Sequence, residues 1–322
     1  MRRARSHVIL TVLTLSILPL SRAAASNDRV GTSVFPFLKI GVGARPMGMA
    51  GAFTAIGDDP HAIYWNPAGL GLTRHGEASA TYVSYFSGVD AGTLVYARPV
   101  RKMAGFGASV NFLRVGGIQE TTNDNRTGTG LSEFSSKDLA FSAAWGSRVF
   151  GRLYAGASAS YLYEGISAGD GYSTTGSAFN LGLLYNGPIE GVTAGIAVRN
   201  WGYQLALYDE TPEELPLTIA GGIAIRPLAR RLLIAVDAEK PRDNDLGVNV
   251  GAEFQVVRDF FARAGYRSID RRVQEDSSSG DLAGLTFGLG IVGTRRYHVD
   301  YAYASFADLG DVHRITLSLD FR

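Results

Sequence analysis

Apolar and polar residues alternate over most of the chain from residue 77 onward. Near the end of the chain, Ile315, Leu317 and Leu319 occupy every second position, and Thr316 and Ser318 lie between them. Because successive side chains of a β-strand point to opposite faces of a sheet, this period predicts a strand with one apolar and one polar face. The same period recurs in many segments, which predicts a chain rich in strands.

Fourteen segments follow this pattern, and most approach the 9–11 residues that a tilted membrane strand needs. The predicted strands are residues 77–85, 92–99, 103–114, 137–146, 153–164, 176–185, 192–201, 216–226, 232–240, 247–256, 260–268, 283–291, 297–305 and 312–321. In a barrel, an even number of strands leaves both ends of the chain on the same side of the membrane.

The connections between strands favour a membrane barrel over a soluble β-sandwich, which would show the same alternation. Every second connection is short, as at residues 100–102, 257–259 and 292–296. The others are mostly longer and polar, notably 115–136 and 269–282. Short turns on one side and long loops on the other are typical of an outer-membrane barrel with periplasmic turns. We therefore predict an all-β, transmembrane, 14-stranded antiparallel up-and-down barrel over residues 77–322. The sandwich stays as the alternative.

Residues 26–76 do not alternate, and we expect them to form a short, partly helical plug inside the barrel. A first short helix is expected at residues 44–55, because proline is tolerated in a first turn. A second is expected to begin at Asp58 or Asp59 as cap, with Pro60 at its first position, and to end near Tyr64. The two aspartates are expected to cap this helix and pair with Arg45 rather than to bind a cation.

The first residues predict export. Three arginines within the first five residues precede an apolar run at 8–20, and three alanines follow at 23–25. This run is shorter than the roughly 20 residues of a membrane-spanning helix. We predict a cleavable signal peptide at residues 1–25, a location in the bacterial outer membrane, and membrane lipid as a partner.

Composition and motifs argue against several classes of function. A net charge of +1 does not favour nucleic-acid binding, and the absence of cysteine excludes thiolate metal sites. The histidines are His7, His61, His75, His298 and His313. Their spacing fits no metal motif, and the glycines at 41, 43 and 48 are not followed by a Walker lysine. We expect no catalytic residue, cofactor or metal.

Charged residues on the polar faces of the predicted strands would project into the barrel. They could line a polar passage or dock the plug, or they could pair with each other and with water. The predicted lumen-facing residues are Asp237, Glu239, Glu253, Arg263, Arg267, His298, Asp300, Arg314 and Asp320.

The plug region resembles the N-terminal signature of the PorV/PorQ family of outer-membrane proteins. The match consists of residues 39–45, 48–55, 58–59 and 64–70, and the run Asn-Pro-Ala-Gly-Leu is similar to the end of the plug in FadL-type long-chain fatty acid transporters. The resemblance implies a 14-stranded barrel with a plug and no enzymatic activity. The plug motif residues are Arg45, Gly48, Gly51, Asp58, Asp59, Asn66, Pro67 and Gly69.

Two functions are compatible with this resemblance. The first is a transport or protein-secretion accessory of the type IX kind, a monomer that docks cargo or secretion proteins at the barrel mouth. The alternative is a FadL-like channel for the uptake of hydrophobic small molecules, which predicts an apolar pocket beside the plug and an opening in the wall.

The alternation also predicts the cost of substitutions in the last strand. An arginine in place of Leu317, on the apolar face near mid-strand, is expected to cost roughly 2–4 kcal/mol of folding free energy in a membrane. A change at Thr316, on the polar face, is expected to cost little.

Overall fold

A computed structural model describes residues 29–85, 88–167, 171–207, 211–227, 231–268, 283–293, 296–306 and 310–321. The predicted signal peptide lies outside the described residues. None of the helices among the described residues has both the length and the apolar character needed to cross a membrane.

Fourteen antiparallel strands form a closed barrel in which each strand pairs with its neighbours in sequence and β14 pairs with β1. The prediction of a 14-stranded antiparallel barrel is therefore confirmed. The strands are β1 (Gly76–Ser84), β2 (Val89–Arg101), β3 (Ala104–Gln119), β4 (Glu133–Phe150), β5 (Leu153–Ile166), β6 (Tyr172–Asn186), β7 (Val192–Ala206), β8 (Thr218–Ile225), β9 (Leu232–Pro241), β10 (Gly247–Val257), β11 (Phe260–Arg267), β12 (Leu285–Val292), β13 (Tyr297–Ser305) and β14 (Asp311–Phe321).

Several strands differ in length from the prediction. β3 and β4 extend past the predicted ends to form a long hairpin, which shortens the loop between them to residues 120–132. β8 begins at Thr218 instead of the predicted residue 216, since Pro216 has no backbone N–H to donate to a ladder. β7 continues to Ala206, although its pairing with β8 ends at Arg199.

The outward face of the wall is apolar and exposed around the whole barrel. A continuous exposed apolar belt on a closed barrel is typical of the surface that faces membrane lipid. Exposed members of this belt include Leu94, Phe141, Trp145, Leu181, Ile196, Ile219, Val236, Phe254, Phe287, Leu289, Ile315 and Leu317. The inward face of the same strands is polar or small, as the alternation predicts.

The plug contains less helix than predicted. Its helices are α1 (Ala44–Gly48) and α2 (Ala62–Trp65), and 3-10 turns lie at Pro36–Lys39 and Pro67–Leu72. The prediction of a helix at 44–55 is wrong beyond Gly48, because Ala50 and Gly51 adopt left-handed backbone angles with φ of 56° and 77°.

The predicted cap of the second helix is also wrong. His61 precedes α2, and no side-chain hydrogen bond caps that end. The Asp59 side chain instead accepts a hydrogen bond from the backbone N–H of His61 at 2.9 Å, which is a turn made before the helix begins.

The described part of the plug runs through the lumen from the end with the long loops to the end with the short turns. At the long-loop end, the Val34 N–H donates to the carbonyl of Glu214, and Lys39 contacts Asp243 at 2.6 Å. At the short-turn end, Asp58 contacts Arg226, which lies between β8 and β9, at 2.6 Å. The described part of the plug therefore extends along the length of the lumen.

Small residues in the wall allow the plug backbone to approach it closely. A Cβ atom added to Gly156 on β5 would lie 2.3 Å from the carbonyl carbon of Pro67, and one added to Gly251 on β10 would lie 2.5 Å from the carbonyl oxygen of Met49. Both distances are shorter than a non-bonded contact allows. Glycine is thus required where the 3-10 turn and the end of α1 press on the wall.

Thr316 contradicts the expectation that the polar face of β14 tolerates change. Its hydroxyl accepts the N–H of Ala44 at 2.9 Å and lies 2.8 Å from the hydroxyl of Thr81. Ala44 begins α1, so removal of this hydroxyl would leave a buried backbone donor without a partner.

We expect Leu317→Arg to lower the free energy of unfolding by roughly 2–4 kcal/mol, because the guanidinium would lie at the depth of the membrane centre. Val256→Arg is the matched control, since Val256 also faces outward but lies next to the last residue of β10. It should cost at most about 1 kcal/mol. Urea unfolding in lipid vesicles measures both, and equal costs would contradict the assigned membrane position.

Candidate functional site

Arg45 on α1 joins the plug to the wall through buried ion pairs. Its Nε and Nη2 atoms donate to the two carboxylate oxygens of Glu253 on β10 at 2.8 and 2.9 Å. Its Nη1 atom lies 3.2 Å from Asp58 and 3.3 Å from Asp59. Burial alone would lower the pKa of Arg45, but Glu253 and Asp58 outweigh it and raise the pKa well above its usual value. The guanidinium is therefore held firmly in its charged form.

The wall continues this arrangement on neighbouring strands. Arg263 on β11 donates from Nε to Glu253 at 2.7 Å and from Nη1 to Asp300 on β13 at 2.6 Å. Positive and negative side chains therefore alternate from Arg45 in the plug through Glu253 and Arg263 to Asp300. The arrangement stabilises the plug in place because each buried charge has an opposite partner.

A second set of buried charges lies around Glu239 on β9. Its carboxylate accepts from Arg199 on β7 at 2.7 Å and from Arg267 at 2.9 Å. The guanidinium of Arg199 also lies 5.7 Å from the ring centre of Tyr64 and 5.2 Å from that of Trp65. Cation–π contacts of this kind attract an aromatic plug surface to a charged wall.

Asp237 on β9 binds the plug through its backbone. One carboxylate oxygen accepts the N–H groups of Phe53 at 2.8 Å and Thr54 at 2.7 Å. These amides follow α1 in a segment with no helix of its own. The carboxylate thus satisfies buried donors that no helix or ladder could satisfy.

Asn66 joins two segments of the plug that follow α1 and attaches them to the wall. Its Nδ2 atom donates to the carbonyls of Thr54 at 2.7 Å and Leu183 on β6 at 3.0 Å, and its Oδ1 atom accepts the N–H of Ala68 at 3.1 Å. Pro67 begins the 3-10 turn that this last contact caps. The Asn-Pro-Ala-Gly-Leu run is therefore a structural anchor of the plug.

The glycines of the plug motif lie at close contacts. Gly48 faces Gly288 on β12, Gly51 faces the Trp65 ring, and Gly69 faces Gly57 within the plug. Each would bring an added Cβ to about 3 Å or less of a neighbouring atom. These positions serve close packing between the plug and its surroundings.

Asp59 and His61 form a buried pair beside the short-turn end. The imidazole Nδ1 lies 2.7 Å from the Asp59 carboxylate. Burial would lower the pKa of His61, but Asp59 outweighs burial and raises it, with Glu77 and Asp300 adding to the effect. Burial would raise the pKa of Asp59, but His61 and Arg45 hold it well below its usual value.

The remaining predicted lumen residues lie apart from this network. Nε2 of His298 lies 2.9 Å from Oδ2 of Asp320 at the short-turn end. Arg314 is 1% exposed, and its guanidinium lies 6.0 Å from the ring centre of Tyr85 towards the long-loop end. Its Nε and Nη1 atoms have no hydrogen-bond partner among the described residues.

Three spaces border the plug and the wall. A polar cavity of about 320 Å³ at the short-turn end is lined by Arg45, His61, Glu77, Arg263 and other charged residues. A crevice of about 20 Å³ between the plug and β1–β3 is lined largely by apolar residues. The outer surface of the wall carries an apolar hollow of about 1140 Å³ that extends over strands β13, β14 and β1 to β6.

Several residues of the site are absent from the sequence prediction. Arg199, Arg226, Glu77 and Asp243 all contact or face the plug. Alternation within β7 indicates that Arg199 faces inward, since Ile196 and Val198 face outward. Arg226 and Asp243 lie in connections, where no strand period indicates direction.

Comparison with known proteins supports the fold. No protein-family model matches the chain, and no curated protein matches it. Among solved structures it is similar to the Ralstonia pickettii toluene transporter TbuX, with a TM-score of 0.60, 15% identity, and coverage of 88% of this chain and 99% of that one.

Two further structures are similar. The Pseudomonas putida toluene transporter TodX has a TM-score of 0.58 and 15% identity, covering 86% of this chain and 96% of its own. A Pseudomonas aeruginosa FadL homologue has a TM-score of 0.59 and 12% identity, covering 87% and 98%. At this identity the likeness concerns the fold. The chain therefore has the plugged 14-stranded barrel fold of FadL-type outer-membrane proteins.

We expect Glu253→Gln to loosen the plug, because Arg45 and Arg263 would then face each other without the shared carboxylate. Removing one partner of a buried pair costs about 3–5 kcal/mol. Amide exchange in the segment after α1 should accelerate by about 100-fold or more if it proceeds by local opening. Glu120→Gln, at an exposed loop position, is the control. Equal protection in the two variants would contradict the anchoring role.

The Asp59–His61 pair predicts a pH dependence of the plug. A raised pKa of His61 adds stability below its ordinary pKa of about 6.5, and this stability is lost as pH rises through the raised value. After correction for the intrinsic exchange rate at each pH, amide protection around α2 should therefore fall as pH rises above about 6.5. His61→Gln should abolish the change, whereas His313→Gln, at an exposed residue of β14, should keep it. If the pH dependence persisted in His61→Gln, it would arise from a group other than His61.

Proposed function

We propose that the chain is an outer-membrane channel that takes up small hydrophobic molecules, with its short turns in the periplasm and its plug closing the lumen. The observation that carries this proposal is the apolar hollow on the outer surface of the wall. The hollow is open and spreads over eight strands, so it offers a broad apolar surface on which a small hydrophobic molecule can lie. The similarity in fold to two toluene transporters supports the same class of substrate.

The hollow results from small outward-facing residues placed between large ones. Ala80, Ala143 and Ala159 line it, and Leu94 and Phe141 stand at its sides. An apolar molecule dissolved in the outer leaflet would gain contact with these side chains without leaving an apolar environment. The hollow is thus suited to collect such molecules from the membrane.

Inside the wall, the route meets the N-terminal part of the plug. Phe37, Leu38 and Leu113 line the crevice between the plug and β1–β3. At about 20 Å³ it holds no more than about one water molecule. Among the described residues, the apolar space beside the plug that a channel predicts corresponds to this narrow crevice, and all fourteen strands are paired around the barrel. Passage requires this part of the plug to move.

The N-terminal part of the plug has polar contacts that suit a release step. Ser33 and Lys39 both bind one carboxylate oxygen of Asp243, in the loop between β9 and β10, at 2.6 Å. Apolar contacts of Phe35 and Leu38 with the wall complete the attachment. From α1 onward several buried ion pairs hold the plug, whereas the described contacts of the segment before α1 include one partly buried pair, Lys39–Asp243, so this segment is the part that we expect to move.

The secretion-accessory function stays a prediction that rests on the N-terminal signature. The PorV/PorQ resemblance has no counterpart among family models or curated proteins. The docking of cargo or secretion partners at the barrel mouth, and a monomeric state, likewise stay predictions. A pull-down with the machinery of a secretion-competent host would test them.

Uptake of labelled toluene by cells that lack their own hydrophobic-compound channel tests the proposal. Expression of the chain should raise saturable toluene uptake without raising the entry of a polar solute of similar size. Asp243→Ala should increase uptake several-fold, because Ser33 and Lys39 lose their shared acceptor.

Asp245→Ala is the matched control, since it removes the same charge from the same loop. Migration of heated and unheated samples on a gel verifies that each barrel is folded. Absence of toluene uptake in both the wild type and folded Asp243→Ala would overturn the channel function. If Asp245→Ala raised uptake equally, the role of Asp243 would be overturned but the channel function would not.

A further inference from the structure

Two imidazoles and two carboxylates meet where the first and last strands close the barrel. Glu77 on β1 is directly opposite Asp320 on β14 in the ladder. His75 lies just before β1, and His298 is the second residue of β13. All four residues are at the short-turn end, and none of them binds the plug through an ion pair among the described contacts.

The contact between His75 and Asp320 has the distance of a close interaction but not the geometry of a hydrogen bond. Nε2 of His75 lies 3.2 Å from Oδ1 of Asp320. That oxygen is buried, yet it has no hydrogen-bond partner among the described residues. Two such atoms, close together but not hydrogen-bonded to each other, can both bind one ion placed between them.

This separation suits two ligands of one metal ion. Zinc binds imidazole nitrogen and carboxylate oxygen at about 2.0–2.2 Å, which places tetrahedral ligands about 3.4 Å apart. The ligand atoms of His75, Glu77 and Asp320 all lie within 4.8 Å of one another. Small side-chain rotations would therefore bring all three to one ion.

The surroundings of the cluster favour a cation. Glu77 and Asp320 are like charges directly opposite each other across a ladder, an arrangement that is destabilising without a counter-ion. The other oxygen of Asp320 lies 2.9 Å from Nε2 of His298. An imidazole that donates to a ligating carboxylate orients it, as partners outside the coordination sphere do in metal sites.

We propose that His75, Glu77 and Asp320 bind a divalent transition metal ion, with Zn²⁺ the best fit, and that His298 positions Asp320. An imidazole ligand favours zinc over magnesium or calcium, which prefer oxygen. His75 and Glu77 also line the polar cavity, so the fourth coordination position faces water. The ion would clamp β1 to β14 and fasten the seam of the barrel.

Titration of Zn²⁺ into the tag-free, metal-depleted barrel in detergent tests this site by calorimetry. One ion should bind per chain. His75→Gln should weaken affinity by at least about tenfold, and Asp320→Asn should do the same. The side chain of His75 is 50% exposed, so its replacement leaves the packing of the barrel intact. His313→Gln, at an exposed residue near the opposite end of β14, is the matched control and should bind as the wild type does.

Thermal unfolding gives a second measurement that does not depend on transport. Zn²⁺ should raise the unfolding temperature of the wild type and of His313→Gln, but not that of His75→Gln. Unchanged affinity in folded His75→Gln would overturn the proposal, as would tighter binding of Mg²⁺ than of Zn²⁺. Toluene uptake by His75→Gln is a separate readout, so loss of the metal site and failure of the channel function can be told apart.

Discussion

The ion pair between Arg45 and Glu253 is the constraint on which the arrangement of the plug depends. A charge buried between the plug and the wall is poorly solvated, so its position is fixed by the opposite charge that faces it. Arg45 therefore places α1 against β10. Arg263 on β11 likewise pairs with Glu253 on β10 and Asp300 on β13, which fixes the positions of these carboxylates. Once α1 is placed, the backbone after it lies beside Asp237, which accepts its free amides.

Two halves of the plug are held by different physical interactions. From α1 onward, buried charges, Asn66 and glycine contacts hold a segment that cannot shift without exposing unpaired groups. Before α1, apolar side chains, the shared carboxylate of Asp243 and backbone hydrogen bonds to Glu214 and Tyr64 hold the chain. Apolar contacts are non-directional and can be replaced by contacts with an apolar ligand, whereas ion pairs cannot. In the proposed channel, the part of the plug from α1 onward would stay fixed and the segment before α1 would be displaced.

The sequence alone predicts the repeating part of this structure better than its irregular part. A period of two identifies each strand and the direction of residues such as Glu253 and Asp300, because direction in a strand follows from position. The plug has no such period. Helix α1 ends where Ala50 adopts a left-handed conformation imposed by contact with the wall, which no local preference indicates. His75 and Asp320 likewise meet only because the barrel closes, so no spacing in the chain relates them.

The seam between β1 and β14 connects the wall hollow with the histidine–carboxylate cluster. Ala80 and Leu317 are opposite each other in the part of the seam that lines the hollow, and Glu77 and Asp320 are opposite each other three residues nearer the short-turn end. The backbone ladder is the same along both parts, but small side chains in the upper part add little cross-strand packing. The proposed metal ion, bound nearer the short-turn end, would add a cross-strand interaction that these small side chains lack. In the proposed channel, which would take molecules from the hollow in the wall, the cluster would hold the closing strands together at the short-turn end.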